Sequence, residues 1–184
     1  MDRIAVIDID NTLWQFCDML HAKLRKVNPD FPPVNEWRDW DFWEDYCTAS
    51  EFFDAIHSIH SNQDSPEYRP YPEAWEFLST LKEKGFHLII ASHRDPVFRE
   101  PTENWLRQHG LPYDELHLSF DKTVLFSENC YCVIDDAPHI LEKASSMSIR
   151  TAGLKFPWNE EYADNGFKLY NSLREIKREM LQDI

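Results

Sequence analysis

Short, nearly unbroken apolar runs recur along the chain, each stopping at a polar or acidic residue: Arg3 to Asp8, Phe86 to Ser92, Glu115 to Ser119, Tyr131 to Asp135 and roughly Arg150 to Leu154. Runs of this length without two-residue alternation suit strands covered on both faces, the condition of a parallel sheet. Between them apolar positions fall at helical spacing, as at Trp75, Leu78 and Leu81, and the helix ends are marked. Pro72 and Pro101 suit first turns, and Gly85 and Gly110 suit closures. Pro138 follows Asp136, a cap for a helix through Met147, while Ser172 with Glu175 resembles a capping box. Strand alternating with helix predicts an α/β domain on a parallel sheet.

One stretch breaks the alternation. Roughly sixty residues without a strand signal separate the first strand from the Pro72 helix, too many for a simple connection. The expectation is a helical insertion over 15–70 in a core of 1–14 and 71–184. The tract around Pro29, Pro32 and Pro33 reads as a turn between its helices, and Ser61 to Pro72 as a loop back to the sheet. Its aromatic residues Trp37, Trp40, Phe42, Trp43, Tyr46, Phe52 and Phe53 suit a miniature core. Trp40 or Trp43, and Trp14 beside the first strand's end, are the rings expected to face a site. His57 and His60, three apart, are expected on an exposed helix face.

Composition narrows the class. With 42% hydrophobic and 28% charged residues, the 184-residue chain is globular in type. Lys+Arg 19 against Asp+Glu 33 leaves −14, a charge that repels a phosphate backbone, so no long nucleic acid is expected as a partner. Small anions remain open to a site that reverses the field locally with a metal ion or a lysine. No apolar run approaches the roughly eighteen residues of a membrane span, so neither membrane, signal peptide nor anchor is expected. Of the four cysteines, Cys130 and Cys132 form a C-x-C within a buried strand and are expected to share one face as core thiols. No CxxC completes a zinc set, and a reducing cytoplasm is the expected location. Nothing in the pattern sets an oligomeric state.

The chemistry lies at the strand ends. The first ends Asp8-Ile9-Asp10-Asn11-Thr12, and a later one ends Val133-Ile134-Asp135-Asp136. Carboxylates at the carboxyl ends of neighbouring strands can converge above the sheet, where open α/β folds bind ligands. Four acids on one rim repel each other unless a hard cation sits among them, and oxygen ligands suit Mg²⁺. Either pair alone reads equally well as caps and turns. Ser92, ending the second strand, and Lys122, opening a helix after the third, add a hydroxyl and an ammonium to the same rim. Together these groups make a phosphate site.

The order DxDxT, strand-end Ser, Lys and Asp-Asp resembles the haloacid dehalogenase superfamily of phosphotransferases, over roughly Met1 to Trp14 and Phe86 to Tyr162. Val133-Ile134-Asp135-Asp136-Ala137-Pro138, followed after a helix by Phe156-Pro157-Trp158-Asn159, is similar to the branch containing the 5′(3′)-deoxyribonucleotidases and their bacterial relatives. Asn11 and the residues after Ser92 depart from that branch, which has Gly after its second Asp. The resemblance implies a Rossmann-like parallel-sheet core with a small helical cap inserted after the first strand. It also implies Mg²⁺-dependent phosphomonoester hydrolysis through an aspartyl phosphate, on a (deoxy)nucleoside monophosphate or similar small phosphate. Carried over, it makes Asp8 the nucleophile and Asp10 the general acid/base. Asp8, the Asp10 carbonyl and Asp135 would hold Mg²⁺, and Ser92 and Lys122 would bind phosphate. Asp136 would orient the cluster, and Thr12 would shape the turn by hydrogen bonding. His93 and Arg94 would reach the phosphate or a sugar, with Arg94 pairing to Asp95 or a cap carboxylate as an equal reading.

Three alternatives stand beside this one. The stretch Thr102 to Lys122, with TENWLRQHG and PYDEL, is similar to polynucleotide 3′-phosphatases, which the net acidity opposes. A sugar phosphatase fits the same motifs. A non-catalytic phosphate-binding or scaffold protein is opposed by the intact, mutually repelling acids.

Overall fold

A computed structural model describes residues 3–39 and 41–181; Trp40, one of the rings expected to face a site, lies outside the described residues. Strands β1 (Arg3–Ile7), β2 (Phe86–Ser92), β3 (Glu115–Leu118), β4 (Cys130–Ile134) and β5 (Arg150–Leu154) form where the apolar runs predict them. β6 (Leu169–Tyr170) spans two residues, too few to leave a periodic signal. Among the described residues the six pair in parallel in the order β3-β2-β1-β4-β5-β6. Ile7 of the central strand lies beside Ile90 and Ile134, so Asp8 and Asp135 leave the sheet next to each other. The apolar runs are explained by burial on two faces: Ile7, Ile90 and Ile134 fall in one buried cluster, and Val6, Ala91 and Val133 in another.

Helices α1 (Phe16–Val27) and α2 (Ala49–Ser61) lie between β1 and α3 (Ala74–Glu83); α4 (Arg99–Gln108), α5 (Pro138–Ser146) and α6 (Leu173–Met180) follow. Two caps differ from expectation. Asp136 does not cap α5; Ala137 occupies that position, and its N–H donates to Asp135 Oδ1 at 2.9 Å. Ser172 Oγ accepts from the Glu175 N–H, but Glu175 Oε2 accepts from the Asn171 N–H, one residue before the cap. Lys122 opens only a single tight turn, Thr123–Leu125, not a longer helix.

The C-x-C cysteines do not share a face. Ile4 faces Cys130 and Ala5 faces Cys132, so Tyr131 is an extra residue on β4, and such a bulge breaks the two-residue alternation. Cys130 packs with Val6 and Val133, whereas Cys132 packs with Ile134. All four thiols are free.

The aromatic segment after β1 does not build a separate small core. Leu20, Leu24, Phe31, Trp37, Phe52 and Ile59 belong to the same buried cluster as Leu78, Ile90 and Ile134, although α1 packs chiefly against α2. The segment leaves and returns at one place: Trp14 bridges to Pro70, and the Tyr71 N–H donates to Leu13 O at 2.7 Å.

Candidate active site

Backbone bonds hold the acids in register past the ends of their strands. The Asp8 N–H donates to Ile134 O at 2.9 Å, and the Asp135 N–H donates to Ala152 O at 3.1 Å. Gly153 of β5 allows this closeness, since a Cβ there would stand 2.3 Å from the Asp135 carbonyl oxygen. Lys122 enters between the acids, its Nζ donating to Asp8 Oδ1 at 2.8 Å and Asp135 Oδ2 at 2.5 Å. Oxygen atoms of Asp8, Asp135 and Asp136 all lie within 4.8 Å of one another, and all three residues are buried.

One ammonium does not neutralise three buried carboxylates. Burial pushes the Asp8 carboxyl well above its ordinary value; Lys122 opposes this, while Asp135 and Asp136 add to it. Burial followed by Asp135 pushes Asp136 up to about 7. Burial would lower the Lys122 ammonium, but Asp135 and Asp8 outweigh it and hold it charged. An all-oxygen set of acids short of positive charge fits a hard divalent cation.

Asp10 faces a different set of partners. Arg94 donates from Nε to Oδ2 at 3.0 Å and from Nη2 to Oδ1 at 2.6 Å. Trp14 Nε1 donates to Oδ1 at 2.8 Å, His60 Nε2 stands 3.3 Å from Oδ2, and Ser92 Oγ stands 3.4 Å from Oδ2. Burial raises the Asp10 carboxyl, but Arg94 and His60 outweigh it and hold the group well below the carboxylate range.

These contacts revise several expectations. Arg94 pairs with Asp10 and not with Asp95 or a carboxylate of the inserted segment. Its guanidinium is fully buried and is also bonded to Thr102 Oγ1 and Gln63 Oε1, since a buried arginine requires partners for its fork of donors. Asp95 instead accepts from the Val97 N–H. Thr12 Oγ1 is buried with no hydrogen-bond partner among the described residues; the turn closes through the backbone, with Thr12 and Leu13 N–H donating to Ile9 O. Trp14 is buried beneath the site, bonded to Asp10, while Trp43 lines the cavity. His93 lines it as well, stacked on His139 with centroids 5.7 Å apart, and burial followed by Lys122 pushes its imidazole down to about 4. Asp136 accepts from Asn11 Nδ2 and Trp158 Nε1.

His60 and Gln63 were missed. His60, expected on an exposed face, continues the buried stripe Phe52, Ala55 and Ile59 of α2, a spacing visible in the sequence. Gln63, a polar residue past the end of α2, left no such signal.

Above the acids opens a cavity of about 400 Å³. Its floor is Asp8, Lys122, Asp135 and Asp136, and its walls include Phe16, Leu20, Trp37, Phe42, Trp43 and Phe52. The rings pair before they face the cavity: Trp37 stacks on Phe42 at 4.0 Å and Trp43 on Phe52 at 4.7 Å.

Residues 2–166 match the family model described as 5′ nucleotidase, deoxy (pyrimidine), cytosolic type C protein. A Chlorobaculum tepidum protein named “Putative 5′(3′)-deoxyribonucleotidase” is 24% identical over 145 residues, covering 72% of this chain and 68% of its own. Solved structures share the fold. One titled a predicted phosphoglycolate phosphatase from Haemophilus somnus aligns with a TM-score of 0.67 at 15% identity, over 98% of each chain. A haloacid dehalogenase superfamily hydrolase from Ehrlichia chaffeensis aligns with a TM-score of 0.59 at 16% identity, over 99% of this chain and 98% of its own.

Proposed function

The chain belongs to the 5′ nucleotidase, deoxy (pyrimidine), cytosolic type C family, and from that premise we propose that it hydrolyses nucleoside monophosphates, with Asp8 as nucleophile and Mg²⁺ at the acid cluster. It is a phosphatase of the haloacid dehalogenase superfamily, which sets aside the non-catalytic reading. The observation that supports the finer statement is the convergence of Asp8, Asp135, Asp136 and Lys122 on the floor of an aromatic-walled cavity.

Asp8, the Asp10 carbonyl and Asp135 would hold Mg²⁺, which when bound offsets the charge of the phosphate. Lys122 engages Asp8 Oδ1, leaving the other oxygen to approach phosphorus. Attack forms the Asp8 O–P bond and breaks the ester P–O bond, with Asp10 giving a proton to the leaving alcohol. Asp10, again a carboxylate, then takes a proton from the water that cleaves the aspartyl phosphate. Arg94 favours the second half by holding Asp10 ionised; a phosphate dianion arriving beside Asp10 raises its proton affinity for the first. Residues 15–70 act as a cap on the core of 1–14 and 71–184 and limit the access of water to the reacting acids.

The wall supports the substrate class. Lys122 is engaged by two acids and Arg94 by Asp10, while Asp41 is the charged residue on the outer wall among the described residues. A second anionic group on the substrate therefore meets no free cation, which disfavours bisphosphates and oligonucleotide ends. Aromatic walls suit a base, at about 1–3 kcal/mol per stacked ring, better than a polyhydroxylated sugar.

Nucleoside 5′- and 3′-monophosphates, sugar phosphates and a 3′-phosphorylated oligonucleotide, each with MgCl₂ or EDTA, test the reading. The nucleoside monophosphates should be hydrolysed fastest and only with metal; faster turnover of the sugar phosphates or the oligonucleotide overturns the substrate class. Asp8→Asn should abolish turnover while the circular dichroism spectrum shows the fold retained, and retained turnover in that variant overturns the covalent route.

A further inference from the structure

Asn11 occupies the turn after Asp10 with φ 58°, a left-handed conformation that ordinarily selects glycine. Its side chain is buried and makes two contacts a glycine lacks. Oδ1 accepts from the Cys17 N–H at 2.9 Å, in the first turn of α1, where the cap residue Gln15 supplies no side-chain bond. Nδ2 donates to Asp136 Oδ2 at 3.2 Å. The amide orientation is fixed by its partners, an N–H on one side and a carboxylate on the other. Trp158 Nε1 donates to the same Asp136 oxygen at 3.2 Å, and no donor among the described residues reaches Oδ1.

We infer that Asn11 is a positioning residue for the acid cluster: with Trp158 it holds Asp136 by Oδ2, leaving Oδ1 as a further oxygen toward the cation beside those of Asp8 and Asp135, while the same amide pins the first turn of α1 to the floor of the site. The inference rests on the reading that the cluster binds Mg²⁺, and adds to it the residue that aims Asp136. Asn11 thereby ties the inserted helices to the reacting acids through one side chain. Groups that orient metal ligands from behind typically govern affinity by about tenfold to a hundredfold.

Titration calorimetry of the full chain with MgCl₂, without substrate, reads the effect directly. Asn11→Gly deletes both contacts without straining the turn and should weaken Mg²⁺ binding about tenfold or more, with the circular dichroism spectrum retained in EDTA. Trp158→Phe removes the other donor, leaves the Asn11–Cys17 bond in place, and should weaken binding too. In an Asp136→Asn background Asn11→Gly should add no further loss, because its route to the cation is gone. Wild-type affinity in Asn11→Gly, or an undiminished effect of it in that background, overturns the role of Asn11 and leaves the Mg²⁺ reading standing. If Asn11→Gly does not fold, unchanged affinity in Trp158→Phe overturns the shared hold on Asp136. Absence of Mg²⁺ binding by the wild-type chain overturns the reading and the inference together.

Discussion

His93 shows how burial sets the working form of a side chain. Its imidazole is pushed down to about 4 from an ordinary 6.5, by burial first and Lys122 second, so it lines the cavity as a neutral hydrogen-bonding group. The sign of the stability effect follows. Between those values the unfolded chain takes a proton that the folded chain refuses, so stability is lost as pH falls from about 6.5 to about 4. His93→Gln should remove one proton's share of this loss, so that its melting temperature, relative to the wild type, rises as pH falls through that window. The remaining slope is a balance: burial also lowers His60 and His139, which act in the same sense as His93, while the raised Asp8 and Asp136 carboxyls favour the folded chain as pH falls and act against them. Thermal unfolding of both proteins in EDTA at a series of pH values checks this, and parallel curves would contradict it. Asp10 is the opposite case: beside Arg94 its carboxylate is kept ionised, and removal of the guanidinium leaves a buried charge stripped of its strongest partner.

Among the elements, β5 lies against the end of β4 with no room for a side chain at the point where the chemistry begins. A methyl group at Gly153 would meet the Asp135 carbonyl oxygen at 2.3 Å, a backbone atom that does not yield without moving the strand end. Gly153→Ala should cost about 1–3 kcal/mol of stability, and activity should fall further than the lost stability explains because Asp135 moves. Chemical denaturation together with kcat measured well below the melting temperature separates the two effects. Elements of this kind were legible wherever burial on both faces left long apolar runs, as in β1, β2 and β4, and the acid-bearing strand ends came with them. What was not legible depends on local slips or on distance along the chain. The extra Tyr131 in β4 turned Cys130 and Cys132 to opposite faces, and β6 is too short to show a period. Arg94 reaches Asp10 across 84 positions, a pairing that no spacing rule supplies, so the sequence leaves this arginine divided between the substrate and Asp95 or a cap carboxylate.

Across the whole molecule, a chain of net charge −14 concentrates its functional cations in two buried places, Lys122 among the acids and Arg94 against Asp10. The surface does not gather phosphate; local charge at the floor of one cavity does. The same economy governs where the molecule is rigid. Since the Asp8 and Asp135 amides belong to the sheet's own ladder, through Ile134 O and Ala152 O, their protons escape only when the central strands separate. In heavy water these two amides should therefore be among the last to take up deuterium, at rates that track global opening. Peptides from the exposed turns between α1 and α2 should label early. A destabilised variant will thus lose its reactive geometry and its slowest-exchanging amides in one event, with no intermediate form in which the sheet persists and the acids have drifted apart.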